Sequence, residues 1–226
     1  MHGLTQRPEE QGSANTRFFH AAEKLFTLHG YDGTKIRAIA ECSGSNLGVL
    51  SHYWGSKQAL FRDIFECRFR PLYDEHMKRF RVLESRLNND EKVNVEEVLR
   101  AQIEPIFLMK SSSPDEAQRL RLLFGRALTD PSEEVVEAMG EIFTPAANLF
   151  FKLLKKVSPG LDHTEFYWRA NCVVGAFTFV ETYTERLTRF IDEDLSAIDW
   201  VKASEHVVHF LTAGMQAAGA STSETG

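Results

Sequence analysis

The chain has 226 residues, of which 43% are hydrophobic, and its formal net charge is -6. This length allows one large or two small domains with a sizeable core, and the acidic balance excludes a general polyanion-binding protein. No window approaches the roughly 18 consecutive apolar residues of a membrane span, and the polar first residues contain no export signal, so we expect a cytoplasmic protein without membrane contact.

The cysteines argue against a stapled or metal-bound fold. Cys42, Cys67 and Cys172 are an odd number, lie far apart and contain no CxxC pair. This pattern favours a reducing compartment and predicts neither a zinc site nor another cofactor. We interpret Cys42 and Cys172 as small buried side chains.

After a polar tail at 1–11, apolar residues recur with helical spacing from about Ala14 to Gly30, where glycine ends the helix. Thr34 is a suitable N-cap for the next helix. The stretch 35–54, KIRAIAECSGSNLGVLSHYW, then reads as two short helices around Gly44, where positive φ is easily adopted. Two helices joined by a tight glycine turn indicate a helix-turn-helix, whose second helix enters the DNA major groove.

The rest of the chain is also helical by its apolar spacing. Gly55 ends the recognition helix, Ser56 caps a long helix that runs to about Leu87, and Pro71 is expected to kink it. Further helices are predicted at about 95–110, 115–129, 133–157, 163–190 and 199–217. We predict an all-α fold with an amino-terminal three-helix domain at 12–72, a helical bundle at 73–218, and loose tails at 1–11 and 219–226.

Charge is distributed unevenly between the two parts. Residues 1–57 hold six Lys and Arg against five acids, a net +1, so the remaining residues carry -7 to give the total of -6. The acidic groups therefore lie mostly outside the proposed DNA reader. Phosphate contacts need only a few well-aimed cations and backbone N–H groups, so we expect a small charged footprint.

The second half is rich in phenylalanine, which is either ordinary core or the lining of an apolar ligand cavity. Arg121 lies in a mostly apolar helix and needs an anion, which is either a neighbouring acid such as Glu133 or Glu137, or the carboxylate of an acidic effector. The candidate ligand-binding residues are Phe107, Arg121, Phe124, Phe150 and Phe177.

An enzyme is the competing class of function. The sequence contains no GxSxG, HExxH or GxxxxGK[ST] motif, and pairs such as His163 with Glu165 have no partner constellation. His206 and His209 have a spacing that can bind metal, but no further ligand completes a set. We therefore predict neither catalytic nor metal-binding residues.

Residues 17–65 resemble the DNA-binding domain of the TetR/AcrR family of bacterial transcriptional regulators. The run AAEKLFTLHGYDGTKIRAIAECSGSNLGVLSHYWGSKQALF contains the diagnostic parts AAxxLFxxxGYxGT, xIRxIAxxxG and GSKxALF. Farther on, LLFGRALTDPSEEV, KKVSPGL and WRANCVVGAF look like the ligand-binding half of one branch, some of whose members respond to fatty acids or related lipids.

The resemblance implies how the DNA reader is used. Base edges are approached by Asn46, Leu47, Gly48 and Val49, where the apolar side chains suit thymine methyl groups and Asn46 either contacts DNA or caps the helix. Phosphates are approached from both sides of this helix. The residues expected there are Thr34, Lys35, Arg37, Ser51, His52, Tyr53 and Lys57, although Ser51, His52 and Tyr53 depart from the usual family pattern.

The resemblance also implies the partners. We expect a homodimer formed through about 163–190 and 199–217, which binds a palindromic operator in double-stranded DNA. We also expect a small apolar or amphipathic effector, with fatty-acid-like molecules among the candidates, whose binding releases the DNA. Repression follows the family majority. The alternatives are a dimeric DNA-binding regulator without an effector and a transcriptional activator.

Overall fold

The computed structural model describes residues 13–109, 113–187 and 198–219, without the side chains of 114 and 180–187. The described residues form α-helices and contain no strand, which confirms the predicted all-α class. The helices are α1 (Ala14–Gly33), α2 (Ile36–Ser43), α3 (Gly48–Tyr53), α4 (Lys57–Asn88), α5 (Val95–Phe107), α6 (Pro114–Thr129), α7 (Glu133–Lys156), α8 (His163–Leu187) and α9 (Trp200–Gln216). The predicted tails, apart from Gly219, and residues 110 and 188–190 of the predicted segments lie outside the described residues.

The chain divides into two compact units. The first holds Met1–Pro71 and Ser111–Phe143, and the second holds Leu72–Lys110 and Thr144–Gly226. Helices α4 and α7 contribute to both, and the division falls at Pro71 in α4 and just before Pro145 in α7. Proline cannot donate to the helical hydrogen-bond ladder, so both divisions coincide with a missing backbone donor. The boundaries 12–72 and 73–218 stay predictions.

Glycine and capping residues set the helix ends of the first unit. The backbone leaves the helical region at Gly30 (φ 72°), and Gly44 and Gly55 adopt φ of 61° and 76° after α2 and α3. The Ser56 hydroxyl accepts from the Ala59 N–H at 3.0 Å, as a cap of α4. These glycines are the points where positive φ turns the chain between helices.

A single apolar core joins the helices of the first unit. Helix α1 packs on α2, α3 and α6. The Arg68 guanidinium on α4 adds an ion pair with Glu23 on α1 at 2.7 Å. Although burial alone raises the pKa of Glu23, hydrogen bonds from His20 and Arg68 lower it overall. The fully buried side chains of this core include Phe18, Phe26, Ile39, Leu60, Ile64, Phe65 and Phe69.

The second unit packs α5 and α8 against α9. Helix α5 begins with a capping box in which Asn94 and Glu97 satisfy each other's backbone N–H groups. Its exposed side pairs with α4, because Glu104 accepts from Arg79 and Arg100, each at 2.8 Å. The core contains Phe80, Leu99, Ile103, Phe107 and Phe150, all buried.

Among the described residues, no helix has the length and apolar character that a membrane span requires.

The interpretation of Cys42 and Cys172 as buried was wrong, since both are exposed. Cysteine is so often buried that composition favoured the interior, but at these two positions the helix face points to solvent.

Candidate nucleic-acid interface

Helix α3 presents a polar and apolar surface to solvent. Asn46, Leu47 and Gly48 are exposed at its start, and Val49 is half-buried. The Leu47 side chain is 45% exposed. At the other end Ser51, His52 and Tyr53 are exposed, and the rings of the last two meet edge to face at 4.7 Å. The predicted reading surface is thus accessible along its whole length.

The opposite face of α3 holds it in place. Leu50 is buried, and the Trp54 ring stacks on Phe18 with 6.0 Å between centroids. The indole N–H, which needs a partner wherever tryptophan is buried, donates to Asp63 Oδ2 at 2.8 Å. Asp63 lies on α4, so this bond fixes the end of α3 to the following helix.

Thr34 and Lys57 organise the turn before α2. Thr34 is 1% exposed, and its hydroxyl donates to the Gly30 carbonyl at 2.7 Å. The sequence predicted that Thr34 caps α2, but the N-cap residue is Lys35, and the Lys35 side chain makes no capping hydrogen bond. Lys57 Nζ donates to the carbonyls of Tyr31 (2.8 Å) and Thr34 (3.2 Å). Burial lowers the pKa of Lys57, whose ammonium therefore lies partly within the protein.

The same turn is held from its other side by the α6–α7 loop. Asp130 Oδ2 accepts from the Tyr31 N–H at 3.5 Å, and the Ser132 hydroxyl donates to Asp32 Oδ2 at 3.3 Å. Ser132 is itself oriented by Asp130, whose Oδ1 accepts from the Ser132 N–H at 2.9 Å. Burial, with the charges of Glu134 and Asp32, raises the pKa of Tyr31 to about 12, so its phenol stays neutral.

The predicted cations differ in their freedom to reach phosphate. Lys35 and Arg37 are exposed at the start of α2, and Arg37 has no ion pair or hydrogen bond among the described residues. Lys35 Nζ lies 3.5 Å from the Asp32 carbonyl. Asn46 makes no side-chain cap on α3, and its Oδ1 lies over Gly48. Of the cations predicted to contact DNA, Lys35 and Arg37 are therefore exposed at the start of α2, whereas the Lys57 ammonium bonds to backbone carbonyls within the protein.

The predicted ligand-binding residues fall in both units. Phe124 and Arg121 lie on α6 of the first unit, where the Phe124 ring contacts Phe69 at 5.3 Å. Phe107, Phe150 and Phe177 lie in the second unit. All five side chains are buried. Burial agrees equally with core and with a ligand lining, so their role stays a prediction.

Sequence reasoning missed the residues that position α3 and the turn before α2. Asp63 and the carbonyl of Tyr31 were not singled out, nor were Asp130 and Ser132. Asp130 and Ser132 lie between the helices predicted at 115–129 and 133–157. Asp and Ser in a turn signal local side-chain hydrogen bonds, but no pattern in one sequence shows that they meet a turn about a hundred positions earlier.

Two family models match separate parts of the chain and leave most of α4 between them. Residues 18–64 match the model described as bacterial regulatory proteins, tetR family. Residues 100–214 match the tetracyclin repressor-like, C-terminal domain. Together the two matches cover both the α3 surface and most of the second half of the chain.

Curated relatives are similar over part of their length. The HTH-type transcriptional repressor AcnR of Corynebacterium glutamicum is 26% identical over 122 residues, which cover 49% of this chain and 64% of that protein. AcnR of Corynebacterium efficiens is 31% identical over 49 residues, or 22% of this chain and 26% of that protein. The chain thus spans less than two-thirds of the length of either relative.

Solved structures share the fold over nearly the whole chain. The fatty acid degradation regulator FadR from Bacillus halodurans has a TM-score of 0.55 and 18% identity, covering 93% of this chain and all of that chain. FadR from Bacillus subtilis, in complex with stearoyl-CoA, has a TM-score of 0.54 and 17% identity over 88% of this chain and 97% of that chain. At this identity the similarity concerns the fold.

Proposed function

This chain belongs to the TetR family of bacterial DNA-binding transcriptional regulators, and we propose that it is a repressor that binds a palindromic operator as a homodimer and is released by a small amphipathic effector. The observation that carries the proposal is the match of residues 18–64 to the tetR family model, together with the exposure of Asn46, Leu47 and Gly48 at the start of α3. A leucine exposed at 45% on a rigidly held recognition helix suits a thymine methyl group in the major groove. Such a regulator acts where the chromosome lies, in the cytoplasm.

The exposure of each side chain determines whether we propose that it contacts bases, contacts phosphates or holds the turn before α2. Asn46, Leu47, Gly48 and Val49 approach base edges. Lys35, Arg37, Ser51, His52 and Tyr53 approach the phosphates on either side. Thr34 and Lys57, both predicted as contacts, serve instead to hold the turn before α2, since their polar atoms bond to backbone carbonyls.

The homodimer is proposed through α8 and α9. These helices expose large apolar side chains, a composition that marks interaction surfaces in proteins that are otherwise polar outside. A two-fold dimer places two α3 helices on half-sites about 34–36 Å apart or somewhat more, so the operator is palindromic. The exposed side chains concerned are Trp168, Phe179, Val201 and Phe210.

The effector is proposed to be amphipathic. Buried aromatic rings in the second unit give an apolar environment, and two structurally similar proteins are described as fatty-acid degradation and stearoyl-CoA-bound regulators. A ligand shifts the protein away from DNA only to the extent that it prefers the non-binding shape. Of the candidates for its contacts, Phe107, Phe150 and Phe177 lie in this unit.

Selection of bound duplexes from a random DNA pool tests the proposal, followed by titration of the selected DNA complex with fatty acids and their coenzyme A esters. We expect an enriched palindrome and release by at least one amphiphile. Leu47→Ala should reduce the preference at one base pair per half-site, while Leu28→Ala serves as the matched control, because Leu28 is 54% exposed on α1. Absence of any enriched sequence would contradict the proposed operator binding.

A further inference from the structure

A cavity of about 340 Å³ lies between the end of α7 and the first half of α8, within the second unit. None of the five predicted ligand residues lines it. Its wall is mostly apolar, and two basic side chains lie in it. The residues that define its character are Phe151, Lys155, His163, Phe166, Tyr167 and Val174.

Helical geometry separates the basic and apolar ends of this α7–α8 cavity. Lys155 and His163 flank the turn between the two helices. Phe151 lies one helical turn before Lys155, and Val174 lies 11 positions beyond His163, a distance of about 16 Å along the helix axis. The cavity therefore has a cationic end and an elongated apolar wall.

The cationic end has no internal anion. Neither Lys155 nor His163 forms an ion pair or side-chain hydrogen bond among the described residues. The nearest acids in sequence are engaged elsewhere. Asp162 Oδ1 accepts from the Glu165 N–H at 2.9 Å, and Glu165 Oε1 accepts from Arg169 at 2.5 Å. An external anion thus complements this end.

The size of the cavity suits a small molecule. Small-molecule sites have volumes of about 300–1,000 Å³ and are mostly apolar with a few polar groups. At about 340 Å³ the α7–α8 cavity lies within this range. A single alkyl chain with an anionic head satisfies both the shape and the charge.

We propose that the α7–α8 cavity binds a small amphipathic carboxylate, with its head beside Lys155 and His163 and its chain along Phe151, Phe166 and Val174. The proposal deepens the effector part of the proposed function by giving the effector this cavity in place of contacts with the five predicted residues. It rests on that function only for its effect on DNA. Binding of the carboxylate is expected from the shape and charge of the cavity alone, and it is measured in the absence of DNA.

Calorimetric titration of the DNA-free protein with decanoate, below its micellar concentration, tests the site. Decanol has the same chain without the charge. We expect decanoate to bind more tightly than decanol. Lys155→Ala should lower the affinity for decanoate about fivefold, which corresponds to the upper range for an exposed ion pair. Lys156→Ala is the matched control, since Lys156 is the exposed next residue and does not line the cavity.

A second variant tests the apolar part. Asn171 is exposed and lines the cavity, so Asn171→Trp should fill it and abolish binding of both ligands while the helical circular dichroism is unchanged. Undetectable decanoate binding to the wild type, or binding that Lys155→Ala and Asn171→Trp leave unchanged, would overturn the proposal. Operator binding is assayed separately, so loss of this site leaves the DNA-binding proposal standing.

Discussion

The Lys57 ammonium lies 2.8 Å from the carbonyl oxygen of Tyr31 and 3.9 Å from the centroid of the Tyr31 ring. It thereby joins the first residue of α4 to the turn that leads into α2. The same ammonium also donates to the Thr34 carbonyl at 3.2 Å. This side chain thus ties the start of α4 to the backbone on both sides of the turn that leads into α2.

Lys57→Met tests whether this lysine positions the reader or contacts phosphate. Methionine keeps much of the aliphatic stem and removes both hydrogen bonds, so we expect a stability loss of about 1–2 kcal/mol and weaker operator binding. The slope of log affinity against log salt should stay unchanged, because no phosphate contact is lost. Thermal unfolding and DNA titration at several salt concentrations measure the two effects. A slope smaller by about two for the homodimer, one for each Lys57, would assign Lys57 to the phosphates instead.

Arg37→Ala is expected to give the opposite pattern. Arg37 is exposed at the start of α2 with no bonded partner among the described residues, so its removal should leave stability nearly unchanged. Operator affinity should fall for all sequence variants alike, and the salt slope should fall by about two for the homodimer, one for each Arg37. Lys24→Ala is the control, since Lys24 is an exposed cation on α1 and is not among the predicted DNA contacts. Equal salt slopes for the wild type and Arg37→Ala would remove Arg37 from the interface.

Local chemistry explains which features the sequence predicted. Gly44 occupies the left-handed region, and Ser56 caps α4, because glycine and serine in those contexts act within a few residues. The same local reasoning predicted Thr34 as a helix cap, yet its hydroxyl donates to the Gly30 carbonyl and its own carbonyl accepts from Lys57. That arrangement depends on packing of α4 against α1, which no local pattern encodes.

The same distinction applies to the site. The exposed run from Asn46 to Gly48 was predictable from the motif, since the recognition helix must face outward. The contacts of Asp130 and Ser132 with Tyr31 and Asp32 join segments far apart in sequence. The cavity between α7 and α8 likewise depends on side-chain packing between helices, and periodicity cannot distinguish a filled groove from an open one.

Phe210→Glu should disrupt the proposed homodimer. Phe210 is 74% exposed on α9, and a carboxylate there would be buried without a partner if the helix lies in an interface. We expect a shift from dimer to monomer at micromolar concentration by light scattering, with loss of operator binding. Val82→Glu is the control, because Val82 is 55% exposed on α4 outside the proposed interface. A wild-type monomer, or an undisturbed Phe210→Glu dimer, would contradict the proposal.

His76 should make stability depend on pH between about 6.5 and 5. Its ring is 2% exposed, stacks on Phe80 and lies 2.9 Å from the Gln102 carbonyl. Burial lowers the pKa of His76 from 6.5 to about 4. Above pH 6.5 the imidazole is neutral in both states. As pH falls from there, the unfolded chain takes up a proton that the folded chain does not, so about 2 kcal/mol of stability is lost by pH 5.

Denaturant titrations at fixed protein concentration across this pH range measure the loss, and His76→Gln should flatten it. The carboxylates of Glu23, Glu97 and Glu104, whose pKa values are lowered, lose their stabilising contribution only at lower pH. His29→Gln, at an exposed position on α1, should retain the wild-type slope. An unaltered slope in His76→Gln would mean that another group takes up the proton, because a neutral side chain at position 76 cannot.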